Sequence, residues 1–380
     1  MIYLDNSATT YPKPPQVIAA VNTALRDYGF NPGRGGYRRS VLASRAVYDA
    51  RKVLKEFFNA ASEEAVIFTS GCTHSLNAVL KGILHQGDHV VISSFEHNAV
   101  LRPVQRLSDD GIITYSVADV TPEDDEQTID SFRRAINGST RLIVCTHASN
   151  VFGYRLPTER ICALAHQYGI LFCLDAAQTA GLFEIDMGHD GYDFVCCAGH
   201  KYLYGPMGIG VLLLGTDLPL ASLIEGGTGS ESENARMPSF YPDRLEAGTM
   251  NLCGVLGLSA GIRFVSRHGT EQIRRRESRL IQRLYHRMKE LNNVTVYTND
   301  ALIESQAPVL AFSVNGKDSE SVASYLSGHA DIAVRGGLHC APLAHRSMNT
   351  IDTGVVRASP SFFTTERDIA ALLNSLRKMS

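Results

Sequence analysis

The feature that most constrains the fold is an alternation of short apolar runs with amphipathic segments between residues 64 and 214. The runs are AVIFTS, HVVISS, IITYSVA, RLIVCTH, ILFCLD, DFVCCAG and GIGVLLL. Each is short and bounded by turn-forming residues, which is typical of a buried strand. Amphipathic stretches such as 74–84 and 158–168 lie between them. This repetition predicts an α/β fold whose central sheet is open and mostly parallel, with helices on both faces.

The pattern changes beyond residue 255, where a long charged helix is followed by the shorter strand candidates VLAFSV, DIAVR and VVRAS. Helical spacing recurs around 319–326 and 366–376. These segments predict a smaller α+β domain. A length of 380 residues and a hydrophobic content of 44% fit one large and one small domain.

Charge and composition exclude several classes of partner. A net charge of −3 provides no field that would favour nucleic acid or an anionic membrane surface. The start, MIYLDNSATT, has no basic region followed by an apolar core, and no apolar run reaches the roughly 18 residues that cross a bilayer. We therefore expect a cytoplasmic protein whose partners are small molecules or proteins.

The eight cysteines show neither a CxxC pair nor metal-ligand spacing, so no metal site is expected. Most lie in apolar runs, where a cysteine acts as a small hydrophobic residue, and we expect them to be reduced, buried and inert. Cys340, in a polar and glycine-flanked stretch beside His339, is the exception, because such a thiol could be kept partly as thiolate.

Polar residues follow the predicted strands at their carboxyl ends, where open α/β sheets bind ligands. Gly71, Cys72 and Thr73 open a helix whose N–H groups and positive dipole end suit a phosphate, although a plain helix cap is the alternative. His97 could stack on a flat ligand or be an ordinary satisfied polar residue. Asn150 offers an uncharged hydrogen-bonding group or a turn residue.

Two further strands end in residues with more specific chemistry. Asp175 ends a buried run and needs a cationic partner to stay ionised, such as a protonated ring nitrogen, unless it is only a helix N-cap. Lys201 follows His200 and precedes a glycine-rich loop. An amine there could form a Schiff base, whereas most lysines are solvated surface charges. A phosphate cradle, a stacking ring, an acid and an imine-forming lysine together match pyridoxal 5'-phosphate (PLP).

The chain resembles the PLP-dependent cysteine desulfurases of the class V aminotransferase superfamily, in order and over nearly its whole length. The segments that carry the resemblance are YLDNSATTYPKP, FTSGCTHSLNAVLKG, FEHNAVLRP, HASNVFG, LDAAQTAG, GHKYLYGPMGIG, EAGTMN and RGGLHCAPL. The short HCAPL loop is similar to the Suf-type branch. The resemblance implies fold-type I architecture, with a large PLP-binding domain at 15–255 and a small domain formed by 1–14 and 256–380. It also implies conversion of L-cysteine to L-alanine, with the sulfur held as an enzyme persulfide for an acceptor protein in iron–sulfur or other sulfur metabolism.

The resemblance implies a role for each candidate residue. For the cofactor, Lys201 bonds to the aldehyde, His97 stacks on the ring and Asp175 pairs with the ring nitrogen. The residues implied to hold the phosphate are Gly71, Cys72, Thr73 and His200. Those implied to approach the ring hydroxyl are Gln178 and Asn150. Thr249 is implied to reach the phosphate of the other subunit, which makes the enzyme a homodimer.

For the substrate, the resemblance implies that Cys340 accepts the sulfur, that Arg357 and Asn150 hold the carboxylate, and that Arg34 lies near the substrate mouth. An Arg357 guanidinium suits bidentate carboxylate binding. An unreactive surface thiol and a structural ion pair are the alternatives for Cys340 and Arg357.

The sequence also departs from the family pattern. Ala198 stands where many relatives carry a hydroxyl, so phosphate binding would lean more on backbone N–H groups and His200. Cys72 and His74 replace a common Thr and Glu. Leu338 replaces a histidine, which bears on the tuning of Cys340.

Alternatives to a cysteine desulfurase remain. A selenocysteine lyase would act on L-selenocysteine with the same residues and without needing Cys340. A class V aminotransferase and a non-catalytic PLP-binding protein are more remote. A nicotinamide dehydrogenase is disfavoured because no GxGxxG follows the first strand.

Overall fold

The computed structural model describes residues 1–33, 35–298 and 305–379. Its strands are β1 (Ile2–Tyr3), β2 (Val66–Thr69), β3 (His89–Ser93), β4 (Thr114–Ala118), β5 (Thr140–Thr146), β6 (Leu171–Asp175), β7 (Phe194–Ala198), β8 (Gly210–Leu214), β9 (Val294–Val296), β10 (Leu310–Val314), β11 (Ile332–Ala333), β12 (Arg335–Gly337) and β13 (Val355–Ala358). Its helices are α1 (Pro15–Asp27), α2 (Arg38–Phe58), α3 (Cys72–Ile83), α4 (Asn98–Asp109), α5 (Asp125–Ala135), α6 (Thr158–Gln167), α7 (Leu252–His268), α8 (Thr270–Lys289), α9 (Ser319–Ala330), α10 (Pro342–Ser347) and α11 (Glu366–Arg377).

A seven-stranded sheet in the order β2-β8-β7-β6-β5-β3-β4 forms the centre of the chain. Strand β8 runs antiparallel to both of its neighbours, and the other pairs are parallel. All seven predicted runs form these strands, so the predicted mostly parallel sheet is confirmed. Helices α2, α5, α6 and α7 contribute to the core on one face, and α3 and α4 to the core on the other. The predicted two-sided covering of the sheet is confirmed too.

A second, four-stranded sheet in the order β12-β13-β10-β9 is antiparallel throughout. Helices α8, α9 and α11 pack their apolar faces into one core with it. The three strand candidates of this region are strands, whereas β9 was not predicted, because a three-residue strand leaves too short a pattern. The domain limits, 15–255 for the large domain and 1–14 with 256–380 for the small domain, remain a prediction.

Close packing between backbones shapes the edge of the large sheet. A Cβ on Gly210 would lie 2.5 Å from the Cα of Gly71, so a glycine at the start of β8 lets the turn before α3 pack directly on it. Beside it, the buried Arg51 and Glu246 form an ion pair, and Glu246 Oε1 accepts a hydrogen bond of 2.6 Å from the N–H of Phe68. These contacts fix β2 and the segment that carries Thr249.

All eight cysteines are unpaired, six of them buried and Cys253 and Cys340 partly exposed, as the sequence predicted for most. In the described part of the chain, none of the helices combines the length and apolar character needed to span a membrane.

Candidate active site

A cavity of about 450 Å³ opens at the carboxyl ends of β5, β6 and β7. The strand register explains its position, because Asp175 lies opposite Thr146 on one side and Cys196 on the other. Predicted site residues that line the cavity are Gly71, Cys72, Thr73, His97, Asn150, Asp175, Gln178, His200, Lys201 and Arg357. The fold thus brings Gly71 and Arg357, which are 286 positions apart in the sequence, to the same cavity.

Lys201 follows β7 in a loop whose backbone folds tightly on itself. The N–H of Gly205 donates to the carbonyl of Gly199 at 2.8 Å, and a Cβ on Gly205 would lie only 2.8 Å from that oxygen. Position 205 therefore needs a glycine because the backbone of Gly199 lies too close for a side chain, and not because its φ is positive. Burial lowers the pKa of Lys201, and the charge of Asp175 offsets part of that shift. A larger fraction of its amine is neutral at a given pH than in a solvated lysine.

The N-terminal segment holds the backbone of this loop. The carbonyl of His200 accepts hydrogen bonds from the N–H of Thr10 at 3.1 Å and from Nζ of Lys13 at 2.7 Å. Thr10 Oγ1 also donates to the carbonyl of Lys201 at 3.0 Å. Because the main chain of Lys201 is fixed, the position of its amine depends on side-chain rotation alone.

Asp175 is buried, and burial raises its pKa. Its Oδ1 accepts hydrogen bonds from the N–H of Ala177 at 2.9 Å and from Sγ of Cys72 at 3.3 Å. The residues that follow Asp175 form a turn and not an α-helix, so it is no helix N-cap.

His97 is the N-cap of α4, where its Nδ1 accepts a hydrogen bond of 3.0 Å from the N–H of Ala99. Burial, reinforced by Lys201 and nearby arginines, lowers the pKa of His97 to about 3. The ring is therefore neutral at physiological pH. This geometry satisfies one ring nitrogen and leaves the planar face able to stack.

The start of α3 and the neighbouring His200 form the polar end of the cavity. The first bond within the helix joins the N–H of His74 to the carbonyl of Gly71 at 3.0 Å, so the amides of Cys72 and Thr73 precede it. Such amides suit an anion. Burial first, then Lys201 and Lys13, lower the pKa of His200 to about 4, and its buried Nδ1 has no hydrogen-bond partner.

Arg357 is buried and partly paired. Its Nη1 donates to the carbonyl of Asn150 at 2.9 Å, and its Nη2 donates to Oδ1 of Asp5 at 2.6 Å. The structural ion pair considered from the sequence is therefore present. A guanidinium has five N–H bonds, and the buried Nε has no partner. Arg357 thus keeps hydrogen-bonding capacity on the cavity side.

Cys340 does not line the cavity but sits next to residues that do. Its carbonyl accepts a hydrogen bond of 2.7 Å from the N–H of Asn98, and Asn150 Nδ2 donates to the carbonyl of His339 at 2.8 Å. His339 and Cys340 both have a left-handed backbone, with φ of 50° and 58°. Arg335 Nη2 lies 3.8 Å from Sγ of Cys340. The loop is thus fastened to the cavity wall with a cationic group near the sulfur.

Among the described residues, the predicted site residues that do not line this cavity are Cys340 and Thr249. Thr249 lines a neighbouring cavity of about 230 Å³, which shares Ser70, His74 and Gly208 with the first. Arg34 lies outside the described residues.

The sequence predicts no role for Asp5 or Arg335, and His339 enters the prediction only as the neighbour of Cys340. Arg335 and His339 line the cavity, and Asp5 bonds to a residue that does. They come from the small sheet and the N-terminal segment, whereas the polar residues predicted for the site follow the strands of the large sheet or were implied by the family resemblance. Asp5 follows β1 by two residues and His339 follows β12 by two residues, so position just after a strand is the sequence signal that marks both.

The family model "Aminotransferase class-V" matches residues 2–372. A probable cysteine desulfurase of Methanothermobacter thermautotrophicus is 33% identical, with the match covering 100% of this chain and 94% of the relative. A probable cysteine desulfurase of Pyrococcus abyssi is also 33% identical, and the match covers 100% of this chain and 94% of that relative.

Solved structures agree with these relatives. The apo structure of a cysteine desulfurase from Thermococcus onnurineus superposes with a TM-score of 0.91 at 30% identity, covering 100% of this chain and 94% of the other. The cysteine desulfurase CsdA of Escherichia coli, in an S-sulfonic acid form, superposes with a TM-score of 0.87 at 26% identity, covering 99% and 94%.

Proposed function

Since the chain belongs to the class-V aminotransferase family, we propose that it is a PLP-dependent cysteine desulfurase of fold-type I that moves the sulfur of L-cysteine onto its own Cys340. In the net reaction L-cysteine and the Cys340 thiol give L-alanine and a Cys340 persulfide. The carbon–sulfur bond of the substrate breaks, a sulfur–sulfur bond forms, and no external oxidant or reductant is needed. The observation that carries the proposal is the placement of Lys201, Asp175 and Arg357 around one cavity, with Cys340 at its edge.

The residues present fit PLP. Asn150 Oδ1, Gln178 Oε1 and His200 Nδ1 are buried atoms of cavity-lining residues that have no hydrogen-bond partner in the described structure. Buried polar atoms are nearly always paired, so these atoms indicate a polar ligand. The amides at the start of α3 suit the phosphate of PLP, and the carboxylate of Asp175 suits the cationic ring nitrogen of PLP.

We assign the phosphate to Gly71, Cys72, Thr73 and His200, the stacking contact to His97, the ring nitrogen to Asp175, and the hydroxyl side to Gln178 and Asn150. When bound, PLP supplies an electron sink for the carbanion formed at the substrate Cα. The low pKa of His97 keeps its ring uncharged, so it does not repel the cationic ring nitrogen.

Lys201 is the general base in this scheme, and its Nζ takes the proton from the substrate Cα. A base must be unprotonated to act, and burial lowers the pKa of Lys201 toward the working pH. The bonds from Thr10 and Lys13 to the loop backbone hold this amine in the cavity.

Arg357 holds the substrate carboxylate through N–H groups that Asp5 and Asn150 leave unused, and Asn150 assists. Asp5 keeps the guanidinium in place by its bond to Nη2. The family resemblance implies that Arg34 also contributes near the substrate mouth.

Cys340 accepts the sulfur, and Nη2 of Arg335 lies 3.8 Å from its Sγ, where it contacts the sulfur at the edge of the cavity. The persulfide then passes to an acceptor protein. We further propose a homodimer in which Thr249 of one subunit serves the phosphate site of the other, and the cavity that Thr249 lines adjoins that site.

Arg357→Lys should raise the KM for L-cysteine at least about tenfold while changing kcat much less, because lysine keeps the charge but loses the planar fork that binds a carboxylate. Alanine release at varied cysteine concentration measures both constants. Arg26→Lys, in the exposed pair with Asp27, is the matched control and should leave both unchanged. An unchanged KM in Arg357→Lys would show that this arginine is structural only.

The overall proposal is tested by incubating the PLP-loaded protein with L-cysteine and, in parallel, with L-selenocysteine. We expect alanine from L-cysteine and an added sulfur on Cys340 by peptide mass spectrometry. Alanine from L-selenocysteine alone would favour the selenocysteine lyase, and bound PLP without turnover of either amino acid would favour a non-catalytic protein.

A further inference from the structure

Cys72, the first residue of α3, contacts the acid at the end of β6. Its Sγ lies 3.3 Å from Oδ1 of Asp175 and 3.4 Å from the carbonyl oxygen of Cys196. Residues 72 and 175 are brought together because α3 packs across the ends of β6 and β7. The side chain of Cys72 is buried and lies at the cavity wall.

The Cys72 thiol is a hydrogen-bond donor at neutral pH. Burial first, then the charge of Asp175, raise its pKa well above the ordinary value for cysteine, so the proton stays on sulfur. A thiol carries a single hydrogen. Of its two acceptors, a carboxylate oxygen is stronger than a peptide carbonyl, so the bond to Asp175 is favoured.

This bond adds to one that Asp175 already makes. Oδ1 accepts from the N–H of Ala177 at 2.9 Å as well as from Cys72. Two donors on Oδ1 fix the rotation of the carboxylate about its last bond. Oδ2 then has a defined position and takes part in neither of these bonds.

We propose that Cys72 is a positioning residue for Asp175, whose S–H holds Oδ1 so that Oδ2 remains for the cationic ring nitrogen of PLP. The family resemblance implies only a phosphate contact for Cys72. The backbone N–H of Cys72 can still serve the phosphate, while its side chain serves the acid. The inference rests on the PLP position given under the proposed function.

The test is the binding of PLP to the cofactor-free protein, followed by absorbance across a range of pH and without any amino-acid substrate. Cys72→Ala should weaken PLP binding about fivefold, because one hydrogen bond to the acid is lost. Cys72→Ser keeps a donor at this position and should restore the wild-type affinity.

The pH dependence separates positioning from packing. Donors to a carboxylate lower its pKa, so removing the thiol raises the pKa of Asp175. Binding falls as Asp175 becomes protonated on acidification, and in Cys72→Ala this fall should begin at a higher pH than in wild type. The groups that interact with Asp175 from the surrounding elements are Cys72, Glu96, Cys145, Cys196, Cys197 and Lys201, together with the N–H of Ala177. Only Cys72 changes in the variant.

Cys173→Ala is the matched control, because Cys173 is a buried cysteine of the same core and its Sγ lies 3.8 Å from Sγ of Cys196. It should leave the affinity and the pH midpoint unchanged. The positioning role is overturned if Cys72→Ala matches wild type in both readouts, if Cys72→Ser behaves like Cys72→Ala, or if Cys173→Ala gives the same shift. Wild-type protein that bound no PLP would overturn the proposed function too. If only the role of Cys72 is wrong, the wild-type protein still binds PLP and still turns over L-cysteine.

Discussion

Lys201→Ala should reduce alanine release from L-cysteine at least about a thousandfold, since the residue is assigned both the covalent link to PLP and the general base. The amine lies in the cavity with a lowered pKa, on a loop held by the N-terminal segment. Alanine release by the PLP-saturated variant measures the effect.

The control is Lys52→Ala, because Lys52 is exposed on α2 and should be dispensable. A wild-type rate of alanine release from Lys201→Ala would show that another group carries the proton and would refute the assignment of the base.

Cys340→Ser should abolish persulfide formation and lower alanine release from L-cysteine at least about a hundredfold, because serine cannot act as the sulfur nucleophile. The loop that carries Cys340 is tied to Asn98 and Asn150, and Arg335 lies near the sulfur. The added sulfur is measured by mass spectrometry of the intact protein after brief exposure to cysteine.

Cys253→Ser tests the same chemistry at the other partly exposed cysteine and should retain both the persulfide and the rate. If Cys340→Ser still turned over L-cysteine at the wild-type rate, Cys340 would be an unreactive thiol. Loss on L-cysteine with full turnover of L-selenocysteine would show that only sulfur needs this residue.

The large sheet and the centre of the site follow from the sequence for one physical reason. Buried parallel strands give nearly continuous apolar runs, and polar residues just after them must lie at a common edge. Asp175 and Lys201 could therefore be placed together although no pattern links them directly. The three-residue strand β9 was missed because three residues are too few to show a period.

Long-range pairing explains what the sequence could not predict. The bond between Arg357 and Asp5 joins residues 352 positions apart, and neither has a local signal for the other. Similarly, Cys72 was assigned to the phosphate by its place in a motif, while its side chain contacts an acid on another strand. Contacts of this kind depend on how helices pack across the sheet, which periodicity does not specify.

The most direct measurement of the central claim is borohydride reduction of the PLP-loaded protein followed by peptide mass mapping. Borohydride fixes an aldehyde joined to a lysine amine as a stable secondary amine. We predict that the reduced cofactor is found on Lys201. An unmodified Lys201 in reduced protein, with the cofactor on another residue or on none, would contradict the account.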